Sequence, residues 1–227
     1  MGTRAWNDAE DTMKGEKKPE TSQYLKNQKK ILGVLALTFV SFLLWSLVNP
    51  KDYSVWLLEV FPALIGVSIL AITYNKFKFT TLVYIFVLAH SIILFIGGHY
   101  TYAENPLFDW IKSQFSLDRN YYDRLGHIMQ GFVPALIIRE FLLRKTRLEK
   151  GKMLFFIVIC VTLAISATYE FFEWWTALLA SPDTGNAFLA MQGDIWDTQW
   201  DMFLALLGGI GSLLMFSRMQ DRQIKLI

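Results

Sequence analysis

The segment ILGVLALTFVSFLLWSLV, residues 31–48, runs for eighteen positions without a charged side chain and follows Lys29 and Lys30. As a helix it would rise about 27 Å at roughly 1.5 Å per residue, close to the thickness of a hydrocarbon core. That reading decides the fold, because the pattern recurs outward along the chain. Residues 54–74 form a second apolar run, with Glu59 inside it and Pro62 placed to kink it. Residues 80–97 form a third, with His90 near the middle. Residues 122–143 carry Asp123, Arg124, His127 and Gln130 at one end and Arg139 and Glu140 at the other. This least apolar run is expected to pack inside a bundle. Residues 153–179 and 200–216 complete the set, the last rich in Ala205, Gly208, Gly209, Gly211 and Ser212, as close helix packing requires. The sequence therefore predicts an all-α polytopic membrane protein, a six-helix transmembrane domain over residues 31–217.

Charged residues make up 19% of the chain, below the usual quarter, and they fall between the apolar blocks. This distribution excludes a basic nucleic-acid binder and names membrane lipids as the surroundings. Of the 22 Lys and Arg, only Lys51, Lys112, Arg119 and Arg124 fall on one side of a six-span scheme. The others collect on the opposite side, which predicts both termini in the cytoplasm. Residues 1–30 read as a flexible cytoplasmic tail without a signal peptide, and residues 218–227 as a short basic one. Residues 107–115 suggest an interfacial helix, 181–186 a turn and loop, and 187–192 a re-entrant or interfacial piece. Cys160, the single cysteine, excludes an intrachain disulfide and reads as core filler.

The topology gathers the remaining polar residues near the outer face. Asp123, His127 and Gln130 are spaced four then three, on one helical face. Glu170 and Glu173 are three apart beside Trp174 and Trp175. Asp194, Asp197 and Asp201 are spaced three then four, a second stripe with Trp196 and Trp200 next to it. His99 and Glu104 lie on the same side. Acids inside or bordering an apolar span need partners: a cation, an arginine or a shared proton. Oxygen-rich ligands with an imidazole suit a divalent metal, for which Glu170, Glu173, Asp194, Asp197 and Asp201 are candidates. No His-Glu-x-x-His, EF-hand, P-loop or nucleophile-elbow motif is present. His90 reads as a buried, hydrogen-bonded packing residue.

The motifs at Asp123-Arg124-Leu125-Gly126-His127, at Tyr169-Glu170-Phe171-Phe172-Glu173-Trp174 and over residues 193–202 resemble those of YjdF-like bacterial inner-membrane proteins, a family of uncharacterised function. The resemblance runs from the second span to the sixth and implies a multi-pass inner-membrane protein. A more distant resemblance is to VanZ-like membrane proteins, linked to glycopeptide resistance and the cell envelope. It implies site positions at Asp123, Arg124 and His127, at Glu170 or Glu173, and at Asp201 ahead of Gly208 and Gly209.

Three readings follow. The first is a cell-envelope enzyme whose outward pocket, among spans three to six, takes an amphiphilic or lipid-linked small molecule. His127, oriented by Asp123, would be its general base, with Glu170 and Glu173 also catalytic. His99, Glu104, Arg124, Gln130, Trp174, Trp196 and Trp200 would contact the substrate. The second is a small-solute or ion transporter with a polar path through Glu59, His90, Glu170 and Glu173. The third is a non-catalytic scaffold whose acids face solvent.

Overall fold

A computed structural model describes residues 19–227. Among them the helices are α1 (Pro19–Leu47), α2 (Tyr53–Thr73), α3 (Thr81–Tyr100), α4 (Pro106–Phe115), α5 (Tyr122–Lys145), α6 (Lys152–Leu179), α7 (Pro182–Leu189) and α8 (Asp197–Ile224). A 3₁₀ turn at Tyr102–Glu104 links α3 to α4. The protein is an all-α polytopic membrane protein: α1, α2, α3, α6 and α8 are long and apolar enough to cross a bilayer. Their outer faces carry Leu37, Ile72 and Leu214, each at least 70% exposed, as a lipid environment favours. Although α5 has 24 residues, its charges keep it below that apolarity, and it packs between α3, α6 and α8.

Local chemistry sets the ends. Asp52 caps α2 by accepting from Ser54 N at 2.6 Å and Val55 N at 3.0 Å. Asn105 caps α4, whose exposed Leu107, Trp110 and Phe115 suit an interfacial position. Several boundaries differ from expectation. Residues 19–30 are not a loose tail but continue α1, because Gln28 is fully buried and donates to the Phe79 carbonyl at 2.9 Å. Residues 1–18 of that tail lie outside the described residues. Residues 182–186 are helical rather than a turn: Ser181 caps α7 and Pro182 takes its first position. At the C-terminus α8 runs on to Ile224, tied by Gln220, which donates to the Leu136 carbonyl at 2.7 Å. Cys160 is exposed on the outer face of α6 and fills no core.

The closest approach in the bundle is between α5 and α8. A Cβ on Gly131 would collide with the Ala205 carbonyl, and one on Gly208 with that of Ile128. Glycine at both positions lets the two backbones touch, which brings the first turns of α8 against His127. At the other end of the bundle, basic loops cover a buried network that the sequence did not suggest. Glu140 is fully buried and accepts from Thr80 N at 2.9 Å, Thr80 Oγ1 at 2.7 Å and Arg144 at 2.8 Å. Arg139 donates to Gln220 and to Asp221, each at 2.8 Å. These bonds satisfy buried polar groups that would otherwise oppose folding.

Candidate functional site

The segment before α5 is fixed first. Asn120 is fully buried and its N–H donates to Gln192 Oε1 at 2.9 Å, while Gln192 Nε2 donates back to the Asn120 carbonyl at 2.8 Å. Asn120 Nδ2 also reaches the Asn105 carbonyl at 3.0 Å and Asp109 at 2.9 Å. Gly193, with φ +88°, allows the turn that leads from α7 towards α8. Two loops are thereby locked together, and Arg119 meets Asp194 and Asp197.

Arg119 and Arg124 then organise the aspartate stripe. Arg119 Nη1 donates to Asp197 Oδ1 at 2.6 Å, and Nη2 to the Ala190 carbonyl at 3.2 Å. Arg124 Nη2 donates to the same Asp197 oxygen at 2.7 Å and to Asp194 Oδ2 at 3.1 Å. Its Nη1 donates to Asp201 and to the Asp197 carbonyl. Both guanidiniums, Asp197 and Asp201 are buried. Ions taken out of water survive only with such multiple partners, so this lattice holds the end of α8 against α5.

His127 stands next to the lattice. Its Nδ1 lies 2.8 Å from Gln130 Oε1, to which it donates. In the neutral ring this leaves Nε2 as a lone pair. Nε2 faces Asp123 Oδ1 at 3.3 Å and Asp201 Oδ1 at 3.7 Å. A lone pair between two carboxylates is repulsive unless a proton or a cation sits among them. Ligands about 2.1 Å from a tetrahedral ion stand roughly 3.4 Å apart, so these separations suit one metal ion. Asp123, His127 and Asp201 each offer a ligand atom within 4.8 Å of the others, and all three are buried. They could hold a divalent metal. Two further carboxylate oxygens, Asp123 Oδ2 and Glu170 Oε1, are buried without a hydrogen-bond partner. Glu170 Oε1 lies 3.7 Å from His127 Nδ1.

The cluster opens on a cavity of about 710 Å³ between α2, α3, α5 and α6. Glu59, Tyr102, Asp123, His127, Tyr169 and Glu173 form its polar end. Burial, with Glu59 close by, pushes the Tyr102 phenol well above its usual pKa, so it stays a hydrogen-bond donor. Pro62 and Pro134, each inside a helix, line the walls. The lining then becomes apolar, through Leu70, Val87, Val133 and Ile137. His90 lies half-buried on this wall and lines the cavity, where the sequence suggested a buried, hydrogen-bonded packing residue.

Thus Asp123, His127, Gln130, Glu170, Glu173 and Asp201 come together. Asp194, Asp197 and Arg124, read as metal or substrate residues, are instead committed to the arginine–aspartate lattice. His99 is drawn away to α1, 3.1 Å from the Ser46 carbonyl and against Trp45. Glu104 pairs with Lys51 at the surface. Trp174, Trp196 and Trp200 are 54%, 60% and 49% exposed and none lines the cavity: Trp174 and Trp200 lie on exposed helix faces and Trp196 in the turn before α8. Arg119 was missed: it lies outside α5, where helical spacing gives no signal, and only the surplus of acids called for it. No spacing in the sequence marks Tyr102 or Tyr169 as part of the site.

The family model described as "Predicted membrane protein (DUF2238)" matches residues 31–222. The chain is 44% identical over 195 residues to "Inner membrane protein YjdF" of Escherichia coli (strain K12), covering 86% of this chain and 93% of that protein. No solved structure matches. The chain belongs to the DUF2238 family of membrane proteins, and multi-pass inner-membrane localisation agrees with both its relative and its apolar helices.

Proposed function

We propose that this inner-membrane protein is a metal-assisted enzyme that acts on the polar end of an amphiphilic or lipid-linked molecule. The carrying observation is His127 Nε2 set between Asp123 and Asp201 at metal-ligand spacing, with Nδ1 committed to Gln130. A bound cation would offset the surplus of carboxylates and draw electron density from a substrate oxygen. Asp123, His127 and Asp201 hold it. Glu170, whose free oxygen is buried beside them, orients water and accepts its proton. Glu173 faces the cavity and meets the head group. Hydrolysis or transfer at an ester or phosphoester is the reaction class that fits these roles.

The reading includes six spans with both termini in the cytoplasm, α5 being the sixth. Its support is the length of α5, its place among the apolar helices and the skew of Lys and Arg. The cluster then lies at the outer end. Burial of Asp123, Glu170, Glu173, Asp197 and Asp201 argues against a scaffold with solvated acids. The apolar far end of the cavity argues against a polar transport path beyond His90.

The test is elemental analysis of protein purified in detergent, with Mn²⁺ binding followed by electron paramagnetic resonance. About one ion per chain is expected, lost in Asp123→Asn, His127→Ala and Asp201→Asn. Wild-type protein with no ion, and no binding of Mn²⁺, Zn²⁺ or Mg²⁺, would overturn the proposal.

A further inference from the structure

The cavity has a side door. α2 packs on α3 and α7, while α6 packs on α5, α7 and α8, so α2 and α6 share little direct contact. At the polar end α7 bridges them, and Phe61 stacks on Phe172 with centroids 6.4 Å apart. Away from that bridge the cavity wall includes Gly66 and Ile69 of α2 and Val161, Ala164 and Ile165 of α6. Ile69, Val161 and Ile165 line the cavity and are 55%, 38% and 40% exposed, so neither helix closes the other's face there. Two helices that share little contact and leave lining residues this exposed frame a lateral opening. It is apolar, as an opening onto lipid would be.

The dimensions limit what enters. Along α6 the lining runs from Glu173 to Val161, about 18 Å at roughly 1.5 Å per residue. Along α2 it runs from Glu59 to Leu70, about 17 Å. One leaflet of the hydrocarbon core is about 15 Å deep. The lining is polar at one end and apolar along the rest, so a flexible aliphatic tail under a polar head, lying parallel to its neighbours in the leaflet, matches its length and its polarity.

We infer that the cavity is a chain pocket: a membrane amphiphile slides in between α2 and α6, its tail against Leu70, Val133 and Ile137 and its head group at Asp123, His127 and Glu173. This rests on the functional reading above and names its substrate class. Transfer from bilayer to pocket is apolar to apolar, so little hydrophobic gain accompanies it. Selectivity comes from fit and from the head group. Chains longer than the pocket should bind less well than those of leaflet depth.

The experiment uses the full chain in lipid nanodiscs and a lysophospholipid carrying a diazirine at mid-chain, with cross-links mapped by mass spectrometry. Labels are expected on Val67, Ile137 and Ile165. Annular lipid will also label Leu207 and Leu214 on the outer face of α8, which serve as an internal control. Nothing stands within 4 Å of a Cβ built on Gly66, so Gly66→Trp can fold with its ring in the cavity. Gly66→Trp and Ala164→Trp should each cut cavity labelling at least tenfold and leave the α8 labels unchanged. Labels confined to the outer face, or cavity labels that survive both variants, would overturn the inference. Metal content is read on the same samples. A bound cation without cavity labelling refutes the chain pocket and spares the metal site. Cavity labelling without a cation does the reverse.

Discussion

Gly208→Ala tests the contact on which the candidate site depends. The added Cβ would meet the Ile128 carbonyl of α5, and Thr162 and Ile159 already crowd the neighbouring Gly209. Backbone cannot rotate aside as a side chain can, so α8 must retreat from α5 by on the order of 1 Å to reach ordinary contact. Such overpacking costs about 1–3 kcal/mol. Replacing a helix glycine by alanine returns about 0.5–1 kcal/mol. The net expected loss is about 1–2 kcal/mol. Gly211→Ala in the same helix meets only Met215 Cε at 3.7 Å, so it should be neutral or slightly stabilising. Unfolding in mixed micelles with increasing sodium dodecyl sulfate, followed by tryptophan fluorescence, compares the two. The retreat also widens the 3.7 Å between His127 Nε2 and Asp201, while Asp123 and His127 share α5 and stay together. Mn²⁺ affinity should fall about 10- to 100-fold in Gly208→Ala and hold in Gly211→Ala. Equal stability and equal affinity in the two variants would refute the close approach of α5 and α8.

Other perturbations probe separate parts of the molecule. Glu140→Ala strips the partner from Arg144 and from both donors of Thr80 and should cost about 3–5 kcal/mol by the same unfolding assay; Glu140→Gln, which keeps an acceptor, should cost less. Arg124→Met leaves Asp201 without its guanidinium and should cost a similar amount, with Asp197→Asn in the same chain recovering part of the loss because one buried charge fewer needs a partner. Cys160, exposed on an apolar face, should react with pyrene maleimide in micelles and resist a charged methanethiosulfonate in intact membranes. In a Cys160→Ala chain, a cysteine at Ser113 should be labelled by an impermeant maleimide from the periplasmic side and one at Thr146 only in inverted vesicles; the opposite pattern would overturn the proposed orientation.

Most of the architecture was legible because lipid makes a simple demand: long uncharged runs must be helices, and the ladders inside them leave little else to choose. The spans at 31–48, 54–74, 80–97, 153–179 and 200–216 each fall on a helix. The boundaries were harder. Hydropathy marks where lipid ends, whereas α1 begins at Pro19 and α8 continues to Ile224 because buried glutamines hold their polar ends. Helical spacing correctly grouped Asp123, His127 and Gln130. Treating Asp194, Asp197 and Asp201 as one stripe was less successful, since α8 starts at Asp197 and leaves Asp194 in the preceding turn, accepting from Trp196 N at 2.9 Å. The tryptophans misled for a related reason. Abundance near a site says nothing about facing it, and the indoles at 174, 196 and 200 point away from the bundle.

The charges at this end of the bundle divide into two groups with different partners. Arg119 and Arg124 donate to Asp194, Asp197 and Asp201, and the first two of these acids need nothing more. Among the described residues, Asp123, Glu170 and Glu173 have no guanidinium within hydrogen-bond distance, although all three are buried and Arg119 stands 3.7 Å from Asp123. His127 is the basic group set between Asp123 and Glu170. Leaving that many carboxylates underneutralised in an apolar setting is costly. An additional arginine would have lowered the cost, as the lattice next door demonstrates. Its absence leaves two buried carboxylate oxygens, Asp123 Oδ2 and Glu170 Oε1, without a hydrogen-bond partner. The lattice therefore supplies rigidity and the second group supplies unmet demand for positive charge, with Asp201 belonging to both. A variant that brings a fixed cation to the second group, Gln130→Lys, should replace the metal ion: stability should rise or hold, Mn²⁺ binding should vanish, and any turnover should vanish with it. Retained Mn²⁺ binding in Gln130→Lys would refute the idea that a fixed cation can take the ion's place among these carboxylates.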